Sequence, residues 1–156
     1  MKFTIALSTI LISFSVAATA LNNPTTAHMT PKPNPILKFL ADMGIGSAKF
    51  QLGSFYFDHS AYQQAILYFK SSQQSEYSVR ECQNNIALSY FLSGKYTQSE
   101  KRYMQLAKTY NYPKYDFFVA LCDFNLQRDQ AALVWLNKAV SKGYRPAIQF
   151  KKEHSL

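Results

Sequence analysis

The sequence predicts an all-α fold, a superhelical array of about three antiparallel helix pairs with a C-terminal capping helix. Three observations predict it. A shift of 34 residues superimposes Gly53 on Ala87, Tyr56 on Tyr90, Tyr62 on Tyr96, Ala65 on Ser99 and Phe69 on Tyr103 without a gap, and self-similarity at such a period marks a helical repeat. Apolar residues recur at helical spacing between these landmarks, as at Ala65, Ile66 and Phe69. Helix-start signals also fall where the helices need them. Ser78 to Glu81 and Thr97 to Glu100 match capping boxes, in which a hydroxyl and a carboxylate each satisfy an orphan backbone N–H.

Residues 1–20 are set apart from the fold. Lys2, the apolar run Phe3 to Ala18 and the small-residue pattern Ala18-Thr19-Ala20 read as a secretory signal peptide. The run is shorter than the ~20 residues of a membrane-spanning helix, so no stable span is expected after cleavage. Residues 21–35 carry Pro24, Pro31, Pro33 and Pro35 among Thr and Asn, a flexible or polyproline-like leader. Residues 36–46 form a short helix and a Gly turn, with Pro35 at the first helical position and Gly44 and Gly46 ending it. The repeat domain is 47–156.

In the first repeat, Phe50, Leu52, Phe55 and Tyr56 give helix A a broad apolar face, and Asp58-His59-Ser60 makes the turn with Ser60 as N-cap. Helix B follows from Ala61 to about Gln73. In the second repeat, helix A2 begins at Val79 after its capping box and ends where Gly94 supplies a left-handed residue. Helix B2 opens at the second box and ends before Asn111. Pro113 starts helix A3. There Tyr90 and Phe124 keep the 34-residue register, but the next small residue, Ala132, comes one position early, which places a one-residue deletion in the A3–B3 turn and leaves Leu121 where a small residue is expected. Helix B3 stops at Lys142-Gly143, and Pro146 opens a final helix through about Glu153.

The chain has 156 residues and a formal charge of +8, or +7 once Lys2 is removed; its aromatic content of 15% excludes a disordered tail. No run of five like charges exists, which favours a solvated surface over an anion-steering one. Lys95, Lys101, Arg102, Lys108 and Lys114 nevertheless cluster around helix B2, offering a basic convex patch to an anionic surface or acidic partner. The interleaved Tyr96, Tyr103, Tyr110 and Tyr112 are read as packing residues, and nucleic acid is not expected as a partner. Cys82 and Cys122 could pair after export. Their phase differs by six residues between repeats, about 9 Å of axial offset, against a Cα separation of about 7 Å that a disulfide tolerates, and this favours buried free thiols.

Catalytic and metal chemistry is not expected. His28, His59 and His154 lie in the leader, a turn and the tail, and no C-x-x-C or H-x-x-x-H pair occurs. Asp58 and His59 adjoin in a turn, where capping and solvation explain them better than a catalytic dyad. No cofactor is implied.

Leu52-Gly53-x-x-Tyr56 followed by Ala65-x-x-x-Phe69 resembles the tetratricopeptide repeat, and Ala132-x-x-Trp135-x-x-x-Ala139-x-x-x-Gly143-x-x-x-Ala147 looks more like its Sel-like relatives. The resemblance covers Ser47 to about Ala147. It implies a scaffold or adaptor that holds a peptide segment in the concave face of the A helices. Transferred by phase, that groove is Phe50, Ser54 and Phe57, then Asn84, Leu88 and Phe91, then Phe118, Cys122 and Asn125. The basic-and-Asn clamp with which some family members grip a terminal carboxylate is not recognisable. Such an aromatic groove is expected either to bind a foreign peptide or to be covered by residues 36–43 or a second copy. The expected function is therefore a non-enzymatic interaction module, periplasmic or secreted in a bacterium, with an accessory factor binding cell wall or another anionic surface through its basic convex face as the alternative.

Overall fold

The computed structural model describes residues 32–156; the export signal expected over residues 1–20 and the leader up to Pro31 lie outside the described residues. Eight helices and no strand occur among them: α1 Pro35–Asp42, α2 Gly46–Asp58, α3 Tyr62–Gln74, α4 Val79–Leu92, α5 Tyr96–Tyr110, α6 Pro113–Asn125, α7 Asp129–Ser141 and α8 Arg145–Glu153. Each helix packs on the next in sequence, giving an all-α array of packed helix pairs. Pairs α2–α3, α4–α5 and α6–α7 are the three repeats.

Helix α1 starts as the sequence indicates, with Pro35 in its first turn and the Asn34 side chain accepting the Ile36 N–H at 2.9 Å. Its inner face sets Leu37, Leu40 and Ala41 against Ala48, Leu52 and Tyr68. It therefore closes the N-terminal end of the array through α2, and does not run along the row of A helices.

The three turns inside the helix pairs are one structure repeated. Ser60, Gly94 and Gln127 have φ of 58°, 75° and 59°, and the N–H groups of Ala61, Lys95 and Arg128 reach back to the carbonyls of Tyr56, Tyr90 and Asp123 at 2.8, 2.9 and 2.9 Å. This is a Schellman closure, which satisfies the last carbonyls of a helix through a left-handed residue. It also corrects the expected caps. Ser60 is that left-handed residue, and Ala61 holds the N-cap position of α3. Helix α5 begins at Tyr96, so Thr97 lies inside it and Glu100 pairs with Arg128 at 2.5 Å. Ser78 does hold the N-cap position of α4, but at φ 45°, ψ 48° its side chain makes no capping bond, since capping geometry requires an extended backbone. Glu81 is taken instead by Arg80 at 2.6 Å.

The core follows the repeat. Leu52, Ile86 and Val119 are each fully buried at equivalent turns of α2, α4 and α6. Beside them stand the small residues Gly53, Ala87 and Ala120. Ser99 on α5 donates to the Ala87 carbonyl at 3.0 Å, a contact that only small residues on both helices allow.

These equivalences move the missing residue. Left-handed Ser78 precedes α4 and left-handed Asn111 precedes α6, 33 residues later, the same spacing as Gly94 to Gln127 and Ala87 to Ala120. The shortening therefore lies in the α5–α6 connection, where α5 runs on to Tyr110 and turns on Asn111 alone, whereas the α3–α4 connection uses Glu76 and Ser78 at positive φ. Ala120, not Leu121, is the small residue of the third pair.

The third pair also carries buried charge. Asp116, fully buried on α6, lies 3.0 Å from Lys138 and 2.6 Å from Lys142 of α7. Arg128 bridges Asp123 at 2.6 Å and Glu100. Finally Gly143, at φ 74°, turns the chain into α8, whose Phe150 meets the rings of Phe117 and Phe124 at 5.7 and 5.8 Å. Cys82 and Cys122 are both free and buried.

Candidate functional site

The expected groove residues divide into two groups. Phe50, Ser54 and Phe57 on α2 and Asn84 and Leu88 on α4 lie half-buried along neighbouring helices. Phe91, by contrast, is only 7% exposed, with its ring edge-on to Tyr96 at 5.4 Å and to Phe118 at 5.9 Å. It is a core residue that closes α4 onto α5 and α6.

The third row is corrected by the shifted register. Phe117, Leu121 and Phe124 occupy the places equivalent to Asn84, Leu88 and Phe91, so Phe118, Cys122 and Asn125 each point about 100° away from them. Phe118 stacks on Tyr103 at 4.7 Å, Cys122 is fully buried, and the Asn125 amide donates to the Leu121 carbonyl of its own helix at 2.7 Å. Burial pushes the Cys122 thiol up to about 12, against a weaker opposing bond from Ser99. The true third row is covered in part by Phe150. The face left open is thus that of α2 and α4, bordered by the start of α6.

A pocket of about 140 Å³ sits on that border, lined by Phe50 of α2, Arg80, Glu81, Asn84 and Asn85 of α4, and Lys114 and Tyr115 of α6. All three A helices contribute to it through residues of their N-terminal halves. Arg80 is committed: Nε and Nη2 donate to Glu81 Oε1 at 3.0 and 2.6 Å, and Nη1 to the Tyr112 hydroxyl at 3.1 Å. That hydrogen bond also holds the Glu81 carboxyl below its ordinary range. Asn84 Nδ2 donates to Asn85 Oδ1 at 3.2 Å.

Tyr115 is fully buried in the core, its hydroxyl without a hydrogen-bond partner among the described residues, and burial raises its pKa. One charged group of the pocket is unpaired. The Lys114 ammonium lies 4.9 Å over the Tyr115 ring and belongs to no ion pair among the described residues. Burial lowers its pKa, with the Arg80 charge adding to the effect and Glu81 opposing it. The site presents donors beside an aromatic wall, suited to an acceptor group on a partly apolar partner.

Of the residues lining this pocket, Phe50 and Asn84 belong to the expected groove, whereas Arg80, Glu81, Asn85, Lys114 and Tyr115 do not. Lys114 was grouped with the basic residues of helix B2; it stands instead on α6, facing α4. The usable signal was its place one residue after Pro113, in the same first turn of an A helix that carries Arg80. Of the remaining basic cluster, Lys101 and Lys108 are exposed on α5, Lys95 stands at its N-cap position, and Arg102 lies 5.4 Å over the Tyr90 ring. Tyr103 is fully buried, as a packing role requires.

Fold and face together define an all-helical array of packed helix pairs, compatible with a helical repeat. No family model matches the chain, and no curated protein matches it. No helix among the described residues is long and apolar enough to cross a membrane.

Proposed function

We propose that the chain is a non-enzymatic, tetratricopeptide-like interaction module that holds a short peptide segment across α2 and α4. The observation that carries this reading is the pocket shared by α2, α4 and α6, bordered by the Lys114 ammonium, which has no ion-pair partner among the described residues. A carbonyl or carboxylate on a bound segment pairs with that ammonium. The row from Phe50 through Leu88 supplies the apolar footing that a segment in extended or helical form needs. The resemblance of Leu52-Gly53-x-x-Tyr56 and Ala65-x-x-x-Phe69 to the tetratricopeptide pattern supports the same reading. Export to a bacterial periplasm or beyond is proposed from Lys2, the run Phe3 to Ala18 and Ala18-Thr19-Ala20.

The test is selection of short peptides from a displayed random library, followed by fluorescence anisotropy with the selected sequence. Leu88→Glu and Phe57→Ala are expected to weaken binding by about tenfold or more, roughly 1.4 kcal/mol, while Lys101→Glu with Lys108→Glu leaves it unchanged. Binding that survives the first pair, and is lost with the second or with rising salt, assigns the activity to the basic face of α5 and removes the groove.

A further inference from the structure

The two ends of the array are finished differently. At the C-terminal end the outer side of α8 is mostly polar: Arg145, Gln149, Lys152 and Glu153 are exposed around one apolar residue, Ile148, 45% exposed, and Gln149 bonds Glu153 at 2.7 Å. At the N-terminal end α1 is apolar on both sides. Leu37, Leu40 and Ala41 face inward, yet Ile36, Phe39 and Met43 are 68%, 62% and 64% exposed, with Ile45 just beyond at 41%. Positions 36, 39 and 43 share one helix face. Stacked repeats need polar outer caps to stay single, and α1 does not supply one.

We propose that this outer face of α1 pairs with the same face of a second copy about a two-fold axis. The residue pattern is self-complementary when two such helices run antiparallel with the axis near Phe39. Phe39 then meets its counterpart, and Ile36 meets Met43 of the other copy. A two-fold contact makes the Ile36–Met43 pair twice. The area is adequate as well. Ile36, Phe39 and Met43 expose roughly 400 Å² per copy, at the level of the largest apolar patch on an ordinary monomer. With Ile45 and the stem of Asp42, the pair covers about 1,000 Å² in total, the lower limit of a specific interface. The face lies at the end of the array, so pairing leaves the α2–α4 groove open, and the inference stands independently of the proposed function.

The test is the molar mass of the purified full chain by sedimentation equilibrium, across low to high micromolar concentration. The wild type is expected to reach twice the chain mass. Ile36→Glu with Phe39→Glu is expected to give the single-chain mass with the helical circular dichroism of the wild type retained, because both side chains point outward. A wild type that stays at the single-chain mass at high micromolar concentration overturns the proposal, and so does a dimer insensitive to Phe39→Glu. A single-chain species that instead sediments with phosphatidylglycerol vesicles, and loses this with Phe39→Glu, assigns the face to a lipid surface and equally overturns it.

Discussion

Gly53 lies against the ring of Phe69 so closely that a Cβ on residue 53 would stand 2.6 Å from Cδ1 and 2.7 Å from Cε1 of that ring. Phe69 is 1% exposed and meets Phe50 edge-on at 5.4 Å, so the ring has little freedom to move aside. Gly53→Ala is therefore expected to destabilise the protein by about 1–3 kcal/mol, the usual cost of overpacking. Urea denaturation measures it. Combining it with Phe69→Leu should cost less than the two changes added, because the clash and its cause are removed together.

The Asp116 network predicts an asymmetry. Removing both lysines leaves a fully buried carboxylate unpaired, whereas Asp116→Asn leaves two lysines that are 45% and 24% exposed and can turn to water. Lys138→Ala with Lys142→Ala is expected to cost about 2–3 kcal/mol, reduced from the deep-interior range by that exposure. Asp116→Asn is expected to cost about 1 kcal/mol. Equal losses in chemical denaturation would show that the lysines matter only through packing.

Burial raises the Asp123 carboxyl above its ordinary 3.8, against the opposing pull of Arg128. A carboxyl whose folded pKa exceeds its unfolded pKa favours the folded state when protonated. Its contribution is fully present below 3.8 and is lost as pH rises through the folded value. The stability of the wild type relative to Asp123→Asn is therefore expected to fall across that window and to level off above it. A difference that grows with pH contradicts this account.

Cys82 and Cys122 are fully buried, and burial raises both thiols, Cys122 to about 12. Neither should react with Ellman's reagent at pH 8 in the native protein, and both should react in guanidinium chloride. One rapid equivalent in native conditions would mean that α4 or α6 opens locally.

Much of the fold was legible because its punctuation is local. Pro35, Gly94, Pro113, Gly143 and Pro146 act through their own backbones and mark helix ends wherever they fall. The capping boxes misled because turns between packed helices close through left-handed residues, and those turns carry Ser60 and Gln127 as readily as Gly94. The third register misled for a chemical reason. Asp123 occupies the place of Tyr56 and Tyr90, held there by Arg128, so the aromatic landmark is absent and Phe124 beside it matches the wrong residue. Phe118, Cys122 and Asn125 were displaced with it. The pocket could not be read from spacing at all, since Phe50, Arg80 and Lys114 meet only when three helices stack.

The central claim is that a peptide segment sits across α2 and α4. Backbone amide chemical shifts, recorded while a library-selected peptide is titrated in, test it most directly. The account predicts that the largest shifts fall on Phe50, Phe57, Asn84, Leu88 and Lys114. Shifts confined to the surface of α5 around Lys101 and Lys108 would contradict it.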